Sequence, residues 1–249
     1  MKDYLKNGIK RKAALPVVVL VPLIVFLFAS PERESNYVEM LKRKVPGHER
    51  HITGNFAPMW NPMAIQMVND YQLEKGVALD IGSSTSPFLI ELANLTEMRC
   101  YAVDINPWAM RLLGYFVDEA GLTGRVVPVE GDWQRLPFRS NYADFIFSRG
   151  TIPFVEDKVE AVRETYRVLK PGGVAYIGHG GFGRLIDPAD REILVRQRQR
   201  WDAPGGRRPA GWDGPKEGLI DLADKAGIPT GKYSLITEPD IGWWLEIRK

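Results

Sequence analysis

The chain is short of the residues that most often announce chemistry. It has one cysteine, Cys100, among 249 residues, so no internal disulfide can form. The context of that thiol, "RCYAVDI", reads as a buried strand and a packed side chain rather than a reactive one. Histidines number three, and no Cys/His group has metal-ligand spacing, so no metal is expected. Formal charge is only +2, too little for the basic field that nucleic acid requires, and no nucleic-acid partner is expected. The stretch "VALDIGSSTSPFLIELA" lacks two of the three glycines of a dinucleotide loop. Gly82 holds the first place, but Ser84 stands at the second and Pro87 at the third. The second glycine is what lets backbone approach a pyrophosphate, so its absence argues against NAD or FAD.

Apolar content of 45% and charged content of 26% are ordinary for a folded protein, and the length suffices for one α/β domain with additions at the ends. One long apolar run departs from this picture. Ala13 to Pro31 is 19 residues without a charge. As a helix it would reach roughly 28 Å, near the hydrocarbon thickness of a bilayer. A cleaved signal peptide fits less well, because Phe28-Ala29-Ser30 before Pro31 is a poor cleavage site. A single-pass N-terminal membrane anchor fits best. Lysines and arginines flank it on both sides (Lys2, Lys6, Lys10, Arg11 and Lys12 before; Arg33, Lys42, Arg43, Lys44 and Arg50 after), so charge does not settle its orientation.

Three segments follow: 1–31 as basic segment and anchor, 32–54 as a polar linker, and 55–249 as the folded domain. Asn61-Pro62 reads as a capped helix start. The chain then alternates apolar strands ("GVALDIG", "RCYAVDI", "RVVPVEG", "ADFIFSRG", "GGVAYIGHG") with helices ("SPFLIELANL", capped by Ser86; "PWAMRLLGYFVDEAG"; "DKVEAVRETYRVLK"). Such alternation predicts βαβ units, a parallel sheet and right-handed crossovers. Near the end, "KYSLITE" and "GWWLEIRK" are too close together for another crossover and should pair antiparallel. Residues 181–213, rich in arginine, glycine and proline, are predicted to be a lid or a disordered loop.

In an open α/β sheet the ligand site lies beyond the carboxyl ends of the strands. A cofactor without phosphate suits this loop. S-adenosylmethionine offers a carboxylate for the helix N-terminus, a ribose for Asp104 at the end of the second strand, and an adenine for Asp132 and Trp133 past the third.

Taken together, "VALDIGSSTSP", "YAVDINPWAM", "VEGDWQRLPFRSNYADFIFSRG" and "RVLKPGGVAYIG" resemble the class I S-adenosylmethionine-dependent methyltransferases over residues 55–249. The resemblance implies a Rossmann-like, doubly wound seven-stranded sheet, mostly parallel with an antiparallel last strand. It implies that Asp80, Gly82, Ser83 and Ser84 form the cofactor loop, that Asp104 and Ile105 take the ribose and neighbouring surface, that Asp132 and Trp133 take the adenine, and that Ser148 and Arg149 face the methionine moiety and the acceptor. Arg149 and His179 are the candidates for catalytic work. Lys170 to Gly173, "KPGG", is a structural turn. Where relatives usually have glycine, Ser84 and Ser86 could crowd the cofactor. The expected activity is methyl transfer to a small-molecule or membrane-borne, lipid-like acceptor, with the domain on the cytoplasmic face where the cofactor is made. The alternative is a membrane-tethered scaffold that has kept the fold and lost catalysis.

Overall fold

The computed structural model describes residues 31–178, 181–202, 216–238 and 242–249. The anchor segment lies, but for Pro31, outside the described residues, as does His179. Among the described residues no helix is long and apolar enough to cross a membrane.

Seven strands form one sheet: β1 (Val77–Ile81), β2 (Arg99–Asp104), β3 (Val126–Glu130), β4 (Ala143–Arg149), β5 (Leu169–Gly178), β6 (Tyr233–Glu238) and β7 (Gly242–Arg248). Their order is β3-β2-β1-β4-β5-β7-β6. The first five run parallel, and β7 lies antiparallel between β5 and β6. The chain leaves β1 for β2 on one side and later returns to β4 on the other. The point where strand order reverses therefore falls between β1 and β4, and it is there that open sheets of this kind leave a crevice.

Helices cover both faces, which is why the strands are apolar throughout. One face is closed by α3 (Trp60–Tyr71), α4 (Phe88–Leu95) and α5 (Pro107–Glu119), the other by α6 (Lys158–Val168) and α8 (Lys216–Lys225). Local chemistry sets several starts. Asn106 Oδ1 accepts the N–H groups of Trp108 and Ala109 ahead of Pro107, and Asp157 Oδ1 accepts that of Glu160. Each satisfies donors that a helix start leaves open. Ser86 Oγ likewise accepts the N–H of Phe88. Asn61 does not cap: α3 already begins at Trp60, and the Asn61 amide donates to Glu91 instead, joining α3 to α4. The "KPGG" turn enters β5 with Gly172 at φ 83°, while Lys170 pairs with Asp144, whose carboxylate also accepts the N–H of Val77.

Two segments carry more structure than composition alone suggests. Residues 32–54, expected as a polar linker, are largely helical. Most of them form α1 (Pro31–Lys44) and the short α2 (Glu49–Ile52), and Val38, Leu41 and Val45 are buried in the core. Apolar residues spaced at 38, 41 and 45 make a helical stripe, which the surrounding charges obscure in the sequence. Residues 181–202 belong to the segment expected as a lid or a disordered loop. They contain α7 (Pro188–Asp202), held by buried Phe182, Ile186 and Leu194. Arg184 ties the segment to α3 through Asp70 and through its N–H to Gln66. The rest of that insertion, 203–215, lies outside the described residues.

Candidate active site

Asp80, Asp104 and Arg149 belong to one face of the sheet. Side chains alternate along a strand, and Asp80 shares its side with Ala78, Arg149 with Phe145 and Phe147, and Asp104 with Cys100 and Ala102, all of which pack with α3, α4 and α5. Gly82 follows β1 at φ 72°, a left-handed conformation glycine adopts without strain. There is also no room for a larger residue: a Cβ at position 82 would stand 2.2 Å from the side chain of Thr151. Thr151 Oγ1 donates to the carbonyl of Gly82 at 3.1 Å, which closes the loop across the switch point.

Ser84 has φ 49°. A side chain in the left-handed region costs roughly 1–2 kcal/mol, which explains why glycine would be the easier residue here. Ser86 is turned toward its helix by the bond to Phe88, so it does not aim at a cofactor. The Asp104 carboxylate organises the loop from the other side. Its Oδ2 accepts the N–H of Ser84 at 2.8 Å and its Oδ1 that of Asn106 at 2.9 Å. A carboxylate has about four lone-pair positions, so two backbone donors leave acceptor capacity for a diol. Ile105 beside it is 71% exposed, an apolar surface at the mouth of the crevice.

Asp80 is buried, and no hydrogen bond to its carboxylate is made by the described residues. Burial pushes its pKa well above the ordinary aspartate range, the Asp104 carboxylate adds to the rise, and the Arg149 guanidinium opposes it. Asp104 is raised too, by burial, with its backbone hydrogen bonds pulling the other way. In the same loop the hydroxyls of Ser83 and Thr85 are buried without a hydrogen-bond partner among the described residues. Buried polar groups are ordinarily paired. Two buried hydroxyls without partners and an acid without donors, all in β1 or the loop that follows it, leave polar capacity that a polar, cationic ligand would complete. A methionine ammonium and carboxylate beside a ribose fit this donor and acceptor set. Asp80 and the Ser83–Thr85 loop would hold the amino-acid end and Asp104 the sugar.

Other expected positions are placed differently. Asp132 accepts the backbone and side-chain N–H groups of Gln134 and closes a tight turn past β3. Trp133 is turned away from the crevice. It is 4% exposed in the core beside α6, and its Nε1 donates to Thr165 Oγ1 at 2.8 Å. This differs from the expectation of an indole beside the adenine, because a buried indole needs a hydrogen-bond acceptor and finds it in Thr165. Ser148 points to the opposite face from Asp80, fully buried, and donates to the carbonyl of Ile81 at 2.8 Å. Ser148 thus joins β4 to β1 at their carboxyl ends. Arg149 points to the same side of the sheet as Asp80 and Asp104. Its Nε donates to the carbonyl of Gly181, and its guanidinium lies over Phe56, Trp60 and Phe182. Thr151, Phe182 and His51 had no signal in the sequence, since none belongs to a motif and their meeting depends on how distant segments fold back.

Comparison with known proteins agrees with this geometry. A family model described as a methyltransferase domain matches residues 79–177. A Methanococcus maripaludis structure assigned to the S-adenosyl-L-methionine-dependent methyltransferases is 30% identical. It superposes with a TM-score of 0.69 over 85% of this chain and 93% of that one. The ubiquinone/menaquinone biosynthesis C-methyltransferase of Vibrio cholerae is 31% identical over 97 residues, 38% of this chain and 37% of that protein. The bifunctional biotin biosynthesis protein of Cellvibrio japonicus is 36% identical over 116 residues, 47% of this chain and 22% of that protein. The chain thus spans less than two fifths of the length of these two curated relatives.

Proposed function

Because the chain belongs to the S-adenosylmethionine-dependent methyltransferase family and shares its cofactor, we propose that it transfers a methyl group to a small-molecule or membrane-associated acceptor. What supports this reading is the loop at the junction of β1 and β4, where Asp80 is buried, the hydroxyls of Ser83 and Thr85 are buried without partners among the described residues, and Asp104 binds the loop from β2. A sulfonium cofactor supplies an electrophilic methyl carbon. The protein's part is chiefly to align the acceptor with it, and alignment alone removes much of the barrier.

Asp80 and the loop hydroxyls orient the amino-acid end, Asp104 the ribose, and the exposed Ile105 the neighbouring apolar surface. Asp132, in the turn past β3, takes the adenine amine in this reading, giving up one of its bonds to Gln134. Arg149 holds the acceptor side. The uncharged Ala13–Pro31 segment supports a membrane anchor and hence an acceptor presented by a bilayer; the domain faces the cytoplasm in this reading because the cofactor is made there. Acceptors named for the relatives, in quinone and biotin biosynthesis, are small molecules and support the same class.

The test is transfer of labelled methyl from S-adenosylmethionine into an extract of membrane and soluble small molecules by the full chain. Label in an organic-extractable product, lost in Asp80→Asn, is the expected result. Label found only in water-soluble products would remove the membrane acceptor. No transfer to any extract would remove the enzymatic reading.

A further inference from the structure

Strand register brings Asp80, Asp104 and Arg149 together. Asp80 pairs with Ala102 of β2 on one side and with Phe147 of β4 on the other. Asp104 and Arg149 each stand two residues beyond those partners, so all three side chains leave the same face of the sheet. Two acids therefore meet one guanidinium at the carboxyl ends of three adjacent strands, β2, β1 and β4.

The two acids are provided for unequally. Asp104 accepts the N–H of Ser84 on Oδ2 at 2.8 Å and that of Asn106 on Oδ1 at 2.9 Å. Donors on both oxygens favour the charged carboxylate. Asp80 is 3% exposed, and the described residues bring its carboxylate no donor. A buried carboxylate without donors is far more costly as an anion than as the neutral acid. Of the two, Asp80 is the one better served by a proton.

The surrounding groups leave that imbalance in place. Arg149 draws Asp80 toward its charged form, but it is already engaged. Its Nε donates to the carbonyl of Gly181, and its guanidinium lies over the rings of Phe56, Trp60 and Phe182. Cys100 of β2 adds no charge, because burial pushes its thiol up to about 12. Among the covering helices, α3 and α5 have no acidic residue in the first turn and no basic one in the last. Glu91, in the first turn of α4, is bound by the amide of Asn61.

We propose that Asp80 carries a proton in the free protein and gives it up to solvent when the ammonium of S-adenosylmethionine, or of its product S-adenosylhomocysteine, binds beside it, so that cofactor uptake exchanges one positive group for another. The inference deepens the methyltransferase reading and rests on it. The exchange balances. The O–H bond of Asp80 breaks, the electron pair stays on the carboxylate oxygen, and the proton passes to water. The ammonium then donates to that oxygen. The loop that follows β1 carries the hydroxyls of Ser83 and Thr85, buried without partners among the described residues, as donors for the carboxylate of the same amino-acid end.

The electrostatics have the same direction. Burial raises Asp80 most, the charge of Asp104 adds to the rise, and Arg149 opposes it. A bound ammonium acts as Arg149 does and pulls the group back down. The acid is therefore weaker in the free protein than in the loaded one. Protons are released at any pH between the two values. Affinity rises with pH through that range, by up to about tenfold per pH unit where a whole proton leaves, and is level above it.

The full chain is titrated calorimetrically with S-adenosylhomocysteine from pH 5 to 8, at each pH in two buffers of different ionisation enthalpy. The difference in heat between the buffers counts the protons exchanged. Failure to bind at any pH overturns the methyltransferase reading, and this inference with it. The expected result is a release that reaches about half a proton or more at its maximum, which corresponds to a shift of about one pH unit or more between the two states. Affinity should climb over the same range. At the pH of greatest release, infrared spectra of the free protein should show the carbonyl stretch of a protonated carboxyl. The band should be lost on loading with S-adenosylhomocysteine and be missing from free Asp80→Asn. The proton count uses the natural chain alone, and the variant's spectrum is read without ligand, so neither depends on the variant binding. Binding without proton release, proton uptake, an affinity unchanged with pH, or an acid band at full strength in Asp80→Asn would each overturn the inference and leave the cofactor reading standing.

Discussion

Gly82 and Thr151 touch across the junction of β1 and β4: the threonine hydroxyl donates to the glycine carbonyl at 3.1 Å, and the glycine has no space for a Cβ. This contact ties the loop after β1 to the residues that follow β4, the strand that carries Arg149. Gly82→Ala should therefore lose about 1–3 kcal/mol of stability, from overpacking together with a side chain at φ 72°. It should also weaken cofactor binding. Gly82→Ala with Thr151→Ala should recover part of the stability, since the clash is with the threonine side chain. Chemical denaturation of the three variants is the check, and equal losses with and without Thr151 would contradict the contact's role.

Asp80 gives stability a pH dependence of known sign. Its folded pKa is raised, so the native chain keeps a proton over a range in which the unfolded chain has released it. Its contribution is present below the ordinary aspartate pKa and is lost as pH rises toward the raised value. Asp80→Asn should melt higher than the natural protein at pH 8, with the difference shrinking toward pH 4, while cofactor affinity falls. A variant that melts lower at pH 8 would show that the carboxylate is paired.

His51 has the opposite slope. Its folded pKa is lowered from 6.5 to about 4. The stability it contributes is fully present above pH 6.5 and is lost as the pH falls toward 4, an upper bound of about 3 kcal/mol at roughly 1.4 kcal/mol per pH unit. His51→Phe should flatten that slope. Thermal melts between pH 4 and 7 decide it, and an unchanged slope would place the titrating group elsewhere.

Trp133 and the cofactor should be separable. Removing the Thr165 hydroxyl leaves the indole N–H without its acceptor, at a cost of about 1–3 kcal/mol. Thr165→Val should lower stability and leave S-adenosylmethionine affinity within about threefold. A large loss of affinity at unchanged stability would return Trp133 to the adenine.

The alternation of apolar strands and helices made the architecture readable, because a sheet covered on both faces must be apolar along its whole length. The antiparallel pairing of the last two strands followed from the short connection between them. What escaped was whatever depends on distance in the chain. Val38, Leu41 and Val45 form a buried stripe too short and too surrounded by charge to stand out. Trp133 sits beside a loop acid in sequence yet turns under the sheet, because both lie in a turn past β3 where no strand alternation sets their directions. Alternation along β4 separates Ser148 from Arg149. The serines of the loop are legible in part. Ser86 reads as a cap in the sequence and, from the position before the N-cap Pro87, it accepts the first helical N–H, that of Phe88, whereas the strain at Ser84 is visible only in its backbone angle.

The account depends most on the Asp104 carboxylate having capacity left for a sugar after it binds Ser84 and Asn106. Calorimetric titration of the full chain with S-adenosylhomocysteine, natural protein against Asp104→Asn, tests it most directly. A saturable heat in the natural protein and an affinity lower by about tenfold to a few hundredfold in the variant, the worth of one or two hydrogen bonds to a charged group, is expected. Equal affinities in the two proteins, or no binding to either at millimolar ligand, would contradict it.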